Sequence, residues 1–200
     1  MGIRQEARER RREEILEAAL DLFVSKGYAQ TKIGDIAEKV GMSVGLLFHY
    51  FESKARLYEE LVLIGAQGPI SIAEEDARDP ARFLEGAAEY VLSSLRGDTF
   101  VARMFVFMAQ ARLNSPMPEG AREMLKESRL IEKTVAIIER GQELGQLRPG
   151  NAEALSALFW QSLSGLALRA TANPEAPLPE ARWIVDGLRD RPAEKAAPDW

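Results

Sequence analysis

The chain has 200 residues, enough to bury a hydrophobic core in one or two domains, and 46% of them are hydrophobic and 28% charged, as in an ordinary soluble protein. The absence of cysteine excludes disulfides and thiolate metal sites. The first residues are charged and lack the apolar core of a secretion signal, and the longest uncharged runs, Leu61–Ala73 and Ala154–Leu168, fall short of the ~20 apolar residues of a membrane helix. We therefore expect a cytoplasmic protein with no membrane partner.

The charge is distributed unevenly. Residues 1–58 hold 10 Lys and Arg against 9 Asp and Glu, whereas the remainder holds 16 against 22. Such a basic start on an acidic chain indicates a polyanionic partner. The alternative is a solvated helix face, since glutamates alternate with the arginines at spacings that allow ion pairs along a helix. The arginines in question are Arg4, Arg8, Arg10, Arg11 and Arg12, and the glutamates are Glu6, Glu9, Glu13 and Glu14.

Apolar periodicity predicts helices from the start of the chain. The first carries Ile15, Ala18, Ala19, Leu22 and Phe23 on one face. Gly27 is expected to end it, and Thr31 to cap a second helix that runs to Val40. Ser43 is expected to cap a short third helix through Tyr50, and Ser53 a fourth that opens at Lys54.

The remaining helices are separated by Pro and Gly. No strand alternation appears, so we expect an all-α chain of about nine helices. The later helices are predicted at Pro80–Arg96 with Asp79 as cap, Asp98–Leu113, Glu119–Gly145, a segment capped by Asn151, and Pro179–Asp190, with a loose tail after Pro192.

The segment around Gly41 has the spacing of two short helices joined by a tight turn. Ala37 is small enough for close helix crossing, and Gly41 suits a left-handed turn residue. Leu47 and Phe51 lie one turn apart and are expected to point inward with Val40 and Met42. This pattern predicts a helix–turn–helix whose second helix is free to enter a DNA major groove.

The opposite side of the third helix would carry Val44, Gly45, Phe48 and His49. Exposed apolar and imidazole groups there suit base edges, thymine methyls and phosphates. The alternatives for His49, the only histidine, are a structural role or catalysis. Catalysis is disfavoured because no nucleophile with an orienting carboxylate, and no set of metal ligands, accompanies it.

The stretch "ILEAALDLFVSKGYAQTKIGDIAEKVGMSVGLLFHYFESKARLYEELV", Ile15–Val62, resembles the DNA-binding domain of the tetracycline-repressor (TetR) family. The resemblance covers about a quarter of the chain. It implies a homodimer with a helix–turn–helix DNA-binding domain at 1–53 and a helical effector-binding and dimerisation domain at 54–200. Its partners would be double-stranded DNA, a second copy and an unknown small-molecule effector, with no cofactor and no metal.

Carried onto this sequence, the resemblance implies a set of DNA-contacting residues. Three positions depart from the family pattern: Phe48 replaces a usual Tyr, Leu46 a common Thr, and Gly34 a base-reading side chain. The implied contacts are Thr31, Lys32, Ser43, Val44, Gly45, Leu46, Phe48, His49, Tyr50 and Lys54.

Two further sets of residues are expected in the C-terminal part. Met and aromatic residues beside polar groups predict an apolar effector pocket, with an ordinary filled core as the alternative. A helix apolar on nearly all sides predicts a two-fold four-helix dimer interface. The pocket set is Phe83, Tyr90, Arg103, Met104, Phe107, Met108, Gln110, Trp160 and Gln161, and the interface set is Ser156, Ser164, Gly165, Leu168, Trp183, Ile184 and Leu188.

The sequence thus favours a ligand-responsive transcriptional regulator, a repressor released from a palindromic operator by a small apolar effector. An architectural DNA-binding protein without an effector is the alternative. An enzyme is disfavoured, because no carboxylate pair, metal cluster or glycine-rich phosphate loop is present in the sequence.

Overall fold

The computed structural model describes residues 2–67, 78–97, 99–113, 116–126 and 130–190. Within these ranges the chain is all α-helical, as predicted, with one isolated antiparallel bridge between Leu147 and Arg189. The described helices are α1 (Ile3–Gln30), α2 (Ile33–Lys39), α3 (Val44–Phe48), α4 (Lys54–Gln67), α5 (Pro80–Ser94), α6 (Phe100–Arg112), α7 (Glu119–Lys126), α8 (Leu130–Glu143), α9 (Ala152–Ala172) and α10 (Ala181–Asp186).

The chain forms two compact units. The first comprises Met1–Pro69 and Asp98–Ser128 and therefore holds α1–α4, α6 and α7. The second comprises Ile70–Gly97 and Arg129–Trp200 and holds α5 and α8–α10. The predicted boundary after residue 53 falls inside the first unit, because α4 packs on α1, α6 and α7. The assignment of functions to 1–53 and 54–200 stays a prediction.

The first unit has an aromatic core shared by α1, α4 and α6. The ring of Tyr58 lies 5.1 Å from Phe23, 5.1 Å from Tyr28 and 4.7 Å from Phe107, measured between centroids. Burial raises the pKa of the Tyr58 phenol to about 12. Gly65 lets α4 approach α6, since a Cβ there would lie 2.5 Å from the Met108 sulfur.

The second unit is built on α8 packed against α9 and α5 packed against α10. Phe159, Leu163 and Ile138 are fully buried in it. The indole N–H of Trp160 donates to the buried Thr134 hydroxyl at 3.0 Å, which satisfies both polar groups across the α8–α9 contact.

Helix starts agree with the predicted caps at four positions. Backbone N–H groups three residues on donate to the side-chain oxygens of Ser43 (3.2 Å), Ser53 (3.1 Å), Asp79 (3.2 Å) and Asn151 (2.8 Å). These bonds satisfy amides that have no partner within the helix.

Other boundaries were predicted wrongly. The third helix ends at Phe48 rather than Tyr50, and the last is shorter than predicted. The helix predicted at Glu119–Gly145 contains α7 and α8, which belong to different units, and residues 127–129 between them lie outside the described residues. The predicted tail after Pro192 lies outside the described residues. None of the described helices is both long and apolar enough to cross a bilayer.

Candidate nucleic-acid interface

A helix–turn–helix is formed by α2 and α3. Gly41 adopts φ 64°, the left-handed conformation in which a side chain would be strained. The N–H of Gly41 donates to Glu38 O at 3.0 Å and that of Met42 to Ala37 O at 2.9 Å, closing the end of α2. Ile36 and Ala37 are buried beneath the turn. The predicted turn is confirmed.

The orientation of α3 is set by two buried side chains. Leu47 is 0% exposed and Phe51 is 4% exposed, and both belong to the first unit's core. The other side of the helix faces outward, with Val44 38%, Leu46 46% and Phe48 46% exposed. Gly45 and His49 are exposed as well. The outward aromatic face expected from the sequence is therefore present, and its contact with DNA stays a prediction.

The chemistry of this surface fits a duplex better than a reaction. Val44 and Leu46 offer methyl groups, His49 offers an imidazole, and Gly45 leaves the backbone accessible. Among the residues that the structure describes, no group of three or more His, Cys, Asp or Glu is placed to hold a metal. The arrangement can make apolar contacts in a groove and hydrogen bonds to phosphates.

Thr31 does not cap α2, contrary to the sequence prediction, because Lys32 occupies that position. Thr31 is 1% exposed, and its hydroxyl donates to Gly27 O at 2.8 Å and Leu22 O at 3.1 Å. Gly27, at φ 77°, interrupts α1, and the Thr31 hydroxyl satisfies carbonyls at that break. The side chain of Thr31 thus fixes the end of α1 and is not available to DNA.

Lys54 is held by α1 as well. Its ammonium donates to Tyr28 O and Thr31 O, both at 2.7 Å, and lies 4.1 Å from the centroid of the Tyr28 ring. Burial lowers the pKa of Lys54. Two of the three ammonium protons of Lys54 are used in hydrogen bonds within the protein, and these bonds join α4 to the end of α1.

The ten predicted DNA contacts therefore divide by exposure. Thr31 is buried, and Tyr50 and Lys54 are half-buried, with Tyr50 packed against the core. The exposed members are Lys32, Ser43, Val44, Gly45, Leu46, Phe48 and His49.

The predicted effector residues in the first unit face α1 and the core. Arg103 forms an ion pair with Asp21 (Nε–Oδ1 2.8 Å), and the Gln110 amide donates to Val24 O at 3.3 Å. Asp21 also forms an ion pair with Lys39 of α2 at 3.1 Å. The sequence did not predict that Asp21 joins α1 to α2 and α6, because Lys39 and Arg103 are distant from it in sequence. The other members in this unit, Met104, Phe107 and Met108, are buried in its core.

The remaining predicted effector residues belong to the second unit. Tyr90 and Gln161 are exposed, and Phe83 and Trp160 are half-buried. An open cleft of about 670 Å³ in this unit is lined by charged groups, among them Glu85 and Arg189, which pair at 2.7 Å. Its lining is therefore not the apolar one expected of the effector pocket.

Two residues of the predicted dimer interface are buried inside the second unit. Ser156 is 0% and Leu188 is 1% exposed, so neither can reach a second copy. Trp183 is 58% exposed, and Leu158 of α9 is 51% exposed. Of the other members, Gly165 is exposed, and Ser164, Leu168 and Ile184 are half-buried.

Residues 15–61 match a family model described as bacterial regulatory proteins, tetR family. The chain is 31% identical to the HTH-type transcriptional regulator TcmR of Streptomyces glaucescens, over 71% of this chain and 64% of TcmR. It is 26% identical to the HTH-type transcriptional repressor KstR2 of Mycolicibacterium smegmatis, over 70% of this chain and 68% of KstR2.

Solved structures share the fold. A mutant of HlyIIR superposes with a TM-score of 0.72 at 20% identity, covering 94% of this chain and 100% of HlyIIR. SmeT in complex with triclosan superposes with a TM-score of 0.70 at 20% identity, and the match covers 94% of this chain and 98% of the SmeT chain. AibR in complex with isovaleryl coenzyme A and operator DNA superposes with a TM-score of 0.65 at 17% identity, and the match covers 88% of this chain and 95% of the AibR chain.

Replacing Lys54 by Met should lower the free energy of unfolding by about 1–2 kcal/mol, because two carbonyls lose a charged donor at a partly exposed site. Urea denaturation measures this. Lys32→Met, at an exposed lysine, is the control and should change stability by less than ~0.5 kcal/mol. A Lys54→Met variant with unchanged stability would show that the contacts with α1 contribute nothing.

Proposed function

Because the chain belongs to the TetR family of bacterial regulatory proteins, we propose that it regulates transcription by placing α3 in the major groove of double-stranded DNA. The observation that carries this proposal is the outward face of α3, held over buried Leu47 and Phe51. Phe48 is 46% exposed beside an exposed His49, so neither side chain is buried as part of the core.

In this proposal the side chains of the first turn of α3 contact the DNA bases. Val44 and Leu46 would contact thymine methyls, and Gly45 would permit close approach of the backbone. His49 and Lys32 can donate to phosphates, which fix the position on the duplex without reading sequence. Phe48 lacks a hydroxyl and contributes apolar contact only.

An architectural, sequence-independent DNA-binding protein is the second candidate. The observation that favours it is the scarcity of side-chain hydrogen-bond donors on the outward face, where Val44, Gly45 and Leu46 stand. We favour sequence-specific binding, since apolar contacts with thymine methyls also discriminate between base pairs.

We also propose that the protein acts as a homodimer through the exposed side of α9 and α10. Leu158 and Trp183 would each lose apolar surface to a second copy. Two-fold symmetry would then require a palindromic operator with half-sites roughly 34–36 Å apart.

We further propose that the protein represses transcription and that a small apolar effector releases it from its operator. KstR2 is a repressor by name, SmeT was solved with triclosan, and AibR with isovaleryl coenzyme A and operator DNA. A regulator of transcription works beside the chromosome, which makes the cytoplasm its expected location. The relatives are transcriptional regulators, and no enzymatic activity is proposed.

Selection of bound duplexes from a random pool should enrich a palindromic motif. Val44→Ala should change the preferred bases, because its methyl groups face the groove, while Leu63→Ala, a matched exposed residue on α4, should not. Affinity should fall by about 10³–10⁵ between 50 and 200 mM salt for ~6–10 phosphate contacts. Enrichment of no motif would favour the architectural candidate.

Light scattering at micromolar concentration should give the mass of a dimer. Trp183→Glu should give monomers, since a charge would be buried unpaired in the interface. Leu113→Glu, at another exposed apolar residue, should leave the dimer intact. A wild-type monomer, or a dimeric Trp183→Glu variant, would contradict the proposed interface.

A further inference from the structure

The charges at the start of α1 are mixed in sequence, but four of the five arginines share one side of the helix. At 3.6 residues per turn, four arginines fall within an arc of about 100°, in line with buried Ile15. Three of the four glutamates lie on the opposite side together with Arg10, whereas Glu14 pairs with Arg11 at 2.5 Å. The four arginines are Arg4, Arg8, Arg11 and Arg12, and the three glutamates are Glu6, Glu9 and Glu13.

Two of these arginines bind neighbouring helices. Arg11 Nη2 donates to Val40 O, at the end of α2, at 2.9 Å. Arg12 pairs with Glu60 of α4, and its guanidinium lies 4.9 Å from the Phe51 ring centroid. This side of α1 is therefore fixed beside the turn that leads into α3.

The other two arginines continue the same side beyond these contacts. Arg4 and Arg8 are exposed, and neither forms an ion pair with any residue in the described ranges. Arg4 precedes Arg12 by two helical turns, about 12 Å along the axis. Because Arg11 and Arg12 contact α2 and α4, the exposed Arg4 and Arg8 continue the side of α1 that lies beside the α2–α3 turn.

We infer that Arg4 and Arg8 form a second DNA-contacting element, which binds phosphates of the duplex flanking the site occupied by α3. The inference rests on the proposed DNA binding by α3 and adds a partner surface to it. Guanidinium groups suit phosphate oxygens through paired, charge-assisted hydrogen bonds. These contacts are independent of sequence, so they lengthen the bound site without changing its motif.

The test compares full-length protein on two duplexes that share one selected motif. The short duplex ends at the motif, and the long one adds about 10 base pairs, one helical turn, on each side. Wild type should bind the long duplex roughly tenfold more tightly at 0.1 M salt. Arg4→Ala/Arg8→Ala should remove this preference and reduce the salt slope on the long duplex by about 2.

As a matched control, the preference for the long duplex is compared between the single variants Arg10→Ala and Arg8→Ala. Arg10 has the same charge and is also exposed, but it lies on the other side of α1, so its loss should leave the preference for the long duplex. Circular dichroism and thermal denaturation confirm that the variants are folded. The inference is overturned if the double variant keeps the wild-type preference, or if Arg10→Ala reduces it as much as Arg8→Ala. Absence of binding by wild type to any duplex would instead overturn the proposed function itself.

Discussion

The burial of Leu47 and Phe51 beneath α3 is the constraint on which the rest of the interface depends. A helix of five residues has no stability of its own in water, since helix nucleation is costly. Removing two large apolar side chains from water contributes about 1.5–3 kcal/mol each and fixes which side of the helix points inward. The exposure of Leu46, Phe48 and His49 follows from that choice, and so does every DNA contact proposed above.

The support beneath α3 extends well beyond the helix–turn–helix. Lys54 closes the end of α1 over Tyr28, and Tyr28 contacts Tyr58, which in turn packs on Phe107 of α6. On another side, Asp21 of α1 binds Lys39 of α2 and Arg103 of α6. Because α4 and α6 share the core of the DNA-binding helices, a shift of either would alter the support of α3. The functional boundary drawn after residue 53 therefore does not coincide with a break in packing.

Local patterns predicted the fold class and the orientation of α3, whereas roles set by distant partners were missed. Gly41, Leu47 and Phe51 could be placed because turn geometry and helical spacing act over a few residues. The internal hydrogen bonds of Thr31 and Lys54 were not predicted, because their carbonyl partners lie up to 26 residues away. Ser156 looked suited to an interface by its size, but only packing shows that it is enclosed. The residues of an effector pocket stay a prediction for the same reason.

The comparison of Leu46→Ala with Leu47→Ala tests the central claim most directly, since the two leucines are adjacent and differ only in orientation. Stability by urea denaturation and affinity for a selected duplex would be measured for each. Leu47→Ala should lower the free energy of unfolding by about 2–5 kcal/mol. Leu46→Ala should change it by less than ~0.5 kcal/mol while weakening DNA binding. A Leu46→Ala variant that is strongly destabilised, or a Leu47→Ala variant of wild-type stability, would contradict the orientation of α3.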